Sequence, residues 1–154
     1  MKDLSKQLNA LIDDYSRQLN ALQDDAVYHS PKPGKWSGVE EMGHLVDSAH
    51  SNIRRFVVSQ YEELPLIVYR QDEWVKISDY QQWSFQDIVQ LWRMMNIQMC
   101  NIWNAMPEQS YNRLCRTGAD VSDQHTLIWL AADYIKHVKH HLHHLLNLAP
   151  VNYP

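Results

Sequence analysis

Five of the nine histidines, His137, His140, His141, His143 and His144, crowd into one segment, DYIKHVKHHLHHLL. Imidazoles at this density can ligate a divalent metal, relay protons near neutral pH, or do no more than solvate a helix face. Val138, Leu142, Leu145 and Leu146 interrupt the run at helical spacing, so the segment belongs to the fold and is not a terminal tag.

A helix turns about 100° per residue, which places each ring relative to the apolar stripe. With His137 at zero, Leu127, Leu130, Ala131, Tyr134, Ile135, Val138, Leu142, Leu145 and Leu148 occupy an arc of roughly 20° to 160°. His141 falls inside it near 40°, and His137 lies on its edge. His144 comes next at about 340°, while His140 and His143 point away near 300° and 240°. His137 and His141 therefore stack one turn apart on one face, the spacing by which two imidazoles reach a single ion. His140 and His144 share that spacing, and a solvated histidine face is the alternative. A third ligand has to come from another helix, where His44 and His50 are available. Apolar periodicity there centres the stripe about 165° from His44, turning His50 nearer the core and His44 towards a polar face with Glu40, Glu41, Asp47, Ser48, Ser51 and Arg55.

The elements that must carry these side chains are four long helices. Leu4, Leu8, Leu11, Ile12, Tyr15 and Leu19 repeat at threes and fours, predicting a helix over about residues 2–24. HSPKPGKW breaks the pattern, and Ser37 with Glu40 forms a capping-box signature that opens a second helix running to about residue 60. From Glu62 to Trp83 the periodicity fails, which implies a long connection crossing the bundle. Its Asp72, Glu73 and Trp74 stand where a lid or substrate wall is expected. Ser84 opens a third helix through about Ala105, before Pro107, and a fourth starts between Ser122 and Thr126 and reaches about Leu148. The pattern is an all-α, up-down four-helix bundle with one long crossover loop, as a single domain over residues 1–154. Its six tryptophans are expected mainly in the core, with Trp74 the one at a cleft.

Composition narrows the functions. A formal net charge of −4, with Arg54-Arg55 the only adjacent basic pair, lacks the footprint of a nucleic-acid binder. The N-terminal segment has no apolar signal core and no stretch suits a membrane span, so a cytoplasmic protein is expected. Cys100 and Cys115 fit neither a disulfide framework nor a CxxC motif and read as reduced.

KWSGVEEMGHLVDSAHSNIRRF, then QDEW, then DYIKHVKHHLHHL resembles the DinB/YfiT-like superfamily of metal-binding four-helix bundles, over roughly residues 30–148. In that family a tryptophan and a serine or threonine open the second helix, a histidine eight residues later is a ligand, and an H-x3-H pair on the last helix completes the site. The matching positions here are Trp36, Ser37, His44, His137 and His141. On the second helix the resemblance thus names His44 against the apolar pattern; on the last it agrees with it. Members include thiol-dependent S-transferases, a thiol-dependent isomerase and proteins described as metal-dependent hydrolases. The resemblance therefore implies a metal-dependent transferase or hydrolase acting on a small molecule, with zinc or nickel and a low-molecular-weight thiol as candidate cofactor and co-substrate. Three histidines leave a coordination position open, where water is acidified or a thiol is held as thiolate.

Asp47 and Asp133, one turn from His44 and His137, are candidates to orient the ligand rings. Tyr134 and Trp74 are candidate pocket residues. A non-catalytic metal- or ligand-binding stress-response module is the competing expectation, and a homodimer is expected from the exposed apolar side chains of such bundles.

Overall fold

The computed structural model describes residues 1–22 and 24–153. Four long helices dominate it: α1 (Lys2–Leu19), α3 (Gly38–Val58), α5 (Phe85–Ala105) and α6 (Leu127–Leu145), with short helices α2 (Asp24–Tyr28) and α4 (Gln71–Ser78) in the connections. Their starts are written in side-chain chemistry. Ser37 and Glu40 form a complete capping box on α3, and the hydroxyls of Ser84 and Thr126 accept the amides of Asp87 and Trp129 at the heads of α5 and α6. α1 stops short of the expected residue 24, because the amides of Asn20 and Ala21 turn back to Ser16 and Gln18. α6 stops before Leu148 because Asn147 adopts a left-handed φ of 52°, and Leu148 N–H bonds back to the His143 carbonyl.

Side-chain pairs give the order and direction of the long helices. Ser5 donates to the Cys100 carbonyl at 3.3 Å and Asp13 faces Arg93 at 3.9 Å, so α1 and α5 are antiparallel. Glu41 meets His144 while Ser48 meets His137, so α3 and α6 are antiparallel. Phe56 and Trp103, near the ends of α3 and α5, meet edge to face with centroids 5.2 Å apart, so those two run the same way. Packing is heaviest around the ring α1, α5, α3, α6, back to α1. This is the expected four-helix bundle, and the long crossover has a geometric reason. A helix of 21 residues is about 31 Å long, and the chain must travel back that distance before α5 can run beside α3 in the same direction.

The crossover is fastened along its length. Tyr80 lies on α3 at Gly43, where a Cβ would stand 2.1 Å from its ring, and its hydroxyl donates to Asp47 at 2.6 Å. Arg55 binds the Ile67 carbonyl, and Ile67 and Pro65 pair with Arg116 of strand β1 (Leu114–Arg116). That strand pairs antiparallel with β2 (Gln124–Thr126). The region that lacked periodicity is thus a short helix and an extended segment whose order comes from distant contacts.

Trp92, Trp103, Tyr134, Phe56 and Phe85 are the largest side chains in the core. Trp74, Trp83 and Trp129 are instead exposed, and Trp36 is half-buried, so packing explains fewer tryptophans than expected. Cys100 and Cys115 are both buried and unpaired. Among the described residues no helix is long and apolar enough to cross a membrane.

Candidate metal centre

Residues 41–49 of α3 are buried without a break, because α2, α4, α5 and α6 all pack against this helix. His44 is 1% exposed and His50 is exposed, the reverse of what the apolar stripe implies. The stripe marks the side facing α5, whereas the polar side faces α6 across a narrow cleft. There His44 meets His137 and His141. One ring nitrogen from each of the three lies within 4.8 Å of the others, and the His44 and His137 Nε2 atoms are 3.0 Å apart.

The outward nitrogens of two rings are already engaged. Nδ1 of His141 donates to Glu41 Oε1 at 2.8 Å, and Nδ1 of His137 lies 3.4 Å from Ser48 Oγ. Because a carboxylate accepts, the Nε2 lone pair of His141 is left facing the cluster. His44 has no such partner, since its Nδ1 is buried and unpaired. It is held by rings instead, with Trp36 at 4.9 Å and the imidazoles of His137 and His141 at 5.1 and 4.8 Å between centroids.

Burial, and then the neighbouring His141, push His44 down to about pKa 3. Burial and the surrounding imidazoles and Arg55 hold His137 well below its ordinary value. Both are thus neutral lone-pair donors at physiological pH. A tetrahedral ion bound at 2.0–2.1 Å needs its ligand nitrogens roughly 3.4 Å apart, a separation these rings reach with sub-ångström to ångström adjustments. The donor set and spacing fit a divalent ion with a position left open.

The other candidates take different places. Asp47 Oδ1 accepts the Tyr80 hydroxyl, its Oδ2 is buried without a partner, and it touches no ring nitrogen of the cluster. Burial raises Asp47 to about pKa 6, against the opposing hydrogen bond from Tyr80. Asp133 accepts from Tyr153 at 3.2 Å. Tyr134 donates to Asn96 inside the core at 2.7 Å, and its buried hydroxyl is strongly disfavoured from ionising. Trp74, on α4, sits edge-on to His50 and Tyr69 at 5.8 Å. His143 points away from the cluster as the 100° rule implies, and binds Tyr15 and the Ala149 carbonyl; His140 instead stays beside it, its ring 5.1 Å from that of His141 and in the same cavity wall as His137.

Sequence reasoning missed Glu41 as a ring partner. It is 6% exposed and spans two histidines, with Oε1 on His141 and Oε2 on His144 Nδ1 at 2.6 Å. Its position three residues before His44, on the same helix face, was the available signal.

Beside the cluster lies a cavity of about 340 Å³ lined by Ser48, Asn52, Arg55, Tyr69, Asp133 and His137, among others. A second, of about 490 Å³, opens between Trp36, Glu41, Asp72, His140 and His144. Both fall in the range of small-molecule sites.

The solved structure of YfiT from Bacillus subtilis, described as a probable metal-dependent hydrolase with an unusual four-helix bundle topology, superposes with a TM-score of 0.84. It is 22% identical, over 95% of this chain and 84% of that one, a likeness of fold. No curated protein matches the sequence. The sequence does match the DinB superfamily over residues 7–145, which is most of its length, and the chain belongs to that family.

Proposed function

We propose that the chain is a metal-dependent enzyme acting on a small molecule, of hydrolase or thiol-dependent S-transferase type. One observation carries the reading: three imidazoles from α3 and α6 converge at the side of a small-molecule cavity. When bound, a divalent ion such as zinc or nickel supplies Lewis acidity and acidifies a water or thiol brought to its open position. The chain's own groups do the rest. Glu41, an acceptor, holds His141 in the tautomer that presents Nε2, Ser48 lies against Nδ1 of His137, and Trp36 packs on the ring of His44. Burial raises Cys100 to about pKa 11 and also raises Cys115, so a thiol nucleophile would have to be an external, low-molecular-weight co-substrate. The hydrolase description of YfiT supports the water route.

A second reading, a non-catalytic metal- or ligand-binding module, is favoured by the commitments of the nearby acids. Both Glu41 oxygens pair with histidines, and Asp47 and Asp133 each accept from a tyrosine, so these three carboxyl groups of α3 and α6 are already engaged and none is free to act as a general base.

Metal analysis of untagged protein tests the shared premise, and the expected result is one divalent ion per chain. A protein with no stoichiometric metal and no micromolar affinity for one would sink it. Turnover assays with ester and amide substrates, and with small thiols plus electrophiles, then separate the two readings. Metal-dependent turnover in either panel removes the binding-only module. We also propose a homodimer, supported by exposed Trp129, Met94 and Leu91; a monomer by sedimentation velocity would remove that part.

A further inference from the structure

Arg55 lies about three turns along α3 from His44 and is only 9% exposed. Its Nε and Nη2 both donate to the Ile67 carbonyl at 3.2 Å, and Nη1 donates to Asn52 Oδ1 at 3.4 Å. Three of its five N–H groups are thereby used, all on neutral acceptors. Among the described residues it forms an ion pair with no carboxylate. Asp133 lines the same cavity and its charge favours the guanidinium, but it lies beyond ion-pair distance and accepts from Tyr153, so no anion touches the buried cation, and tying down one carbonyl does not require a charge. The group also lines the 340 Å³ cavity that reaches His137 and His141.

We propose that this cavity binds a small carboxylate, whose carboxyl group is held by the free N–H groups of Arg55 while the rest of the molecule extends towards the three histidines. The cation, its fixed orientation on Ile67 and the adjoining hydroxyl of Tyr69 suit a planar acceptor of two hydrogen bonds. A monoanion is preferred to a phosphate dianion because Asp133 also lines the cavity, and a second negative charge would face it without a cation of its own. The rise from His44 to Asn52, where the guanidinium bonds, is about 12 Å, so the carboxylate sits several bonds away from whatever atom reaches the histidines. The inference rests on the metal-enzyme reading only for the far end of the ligand. The Arg55 end stands without it.

Benzoate, its neutral isostere benzamide and phenylphosphonate provide the test, each titrated into metal-loaded and metal-stripped full-length protein. Binding is read by calorimetry and by the side-chain Nε–H resonance of Arg55. Benzoate should bind both forms roughly tenfold or more tightly than benzamide, and shift the Arg55 resonance. Arg55→Gln should weaken benzoate by a similar factor and leave benzamide unchanged. Should that variant not fold, the wild-type selectivity and resonance decide, and Arg55→Lys should keep the preference for benzoate over benzamide. Equal binding of benzoate and benzamide, no binding of either, tighter binding of phenylphosphonate, or benzoate bound only to loaded protein with Arg55 unmoved would each overturn the proposal. A chain that takes up no metal yet keeps Arg55-dependent benzoate binding would defeat the enzyme reading and leave this one standing.

Discussion

Glu41 joins two histidines of α6 through its two oxygens, and only one of them, His141, belongs to the triad. Removing it as Glu41→Ala should lower metal affinity by about 10–100-fold, measured by competition with a chelating dye, while helicity is unchanged. Removing a triad member is more severe. His44→Ala, His137→Ala and His141→Ala should each abolish stoichiometric metal, whereas His50→Ala, His140→Ala and His143→Ala should retain it by elemental analysis. Loss in His50→Ala with retention in His44→Ala would contradict the geometry. Asp47 gives a pH signature of a different kind. Its folded pKa, about 6, lies above its ordinary 3.8, so the folded state favours the protonated acid. Its contribution to stability is fully present below pH 3.8 and is lost as pH rises through about 6, a loss on the order of 3 kcal/mol. Asp47→Asn should flatten the fall in unfolding free energy between pH 4 and 7. At this scale the histidines of α6 were legible because that helix has one apolar stripe to measure against. His44 was not, because a helix buried all round keeps a polar inner side that a single stripe cannot reveal.

Among the elements, α3 bears the most neighbours and the least tolerance. Gly43→Ala would drive a Cβ into the ring of Tyr80, and the ring cannot retreat without giving up its bond to Asp47. A loss of about 1–3 kcal/mol is expected in urea unfolding, with α3 itself intact. Gly43→Ala combined with Tyr80→Ala should recover part of the steric cost, which a propensity effect alone would not do. The heads of α3, α5 and α6 could be read from Ser37, Ser84 and the stretch ending in Thr126, since a cap is a local bargain between a side chain and the next turn. α4, the two strands and the seat of Tyr80 could not, because α4 and Tyr80 settle on the distant α3 and the strands, three residues each, are tied down by Pro65 and Ile67 far back in the chain. The same holds for the parallel course of α5 beside α3: periodicity assigns each helix an inner face but says nothing of which end it starts from.

For the whole molecule, the two halves of the histidine site lie 93 residues apart in sequence, on helices that share no covalent support nearby. Metal at 100 times its dissociation constant should stabilise the fold by about 2.7 kcal/mol, roughly 5–10 °C in melting temperature for a chain of this size. The shift should be missing in His44→Ala by calorimetry. An ion gripped from both sides is, for the chain, a reversible staple closing a long loop. Tying the ends of such a loop costs an unfolded chain roughly 4 kcal/mol of entropy, a cost the metal-free protein must meet through packing alone. Chelation would then do more than silence a site. It would cut the tie between α3 and α6, so urea should unfold the stripped protein faster, and proteases should gain their first purchase where those two helices part.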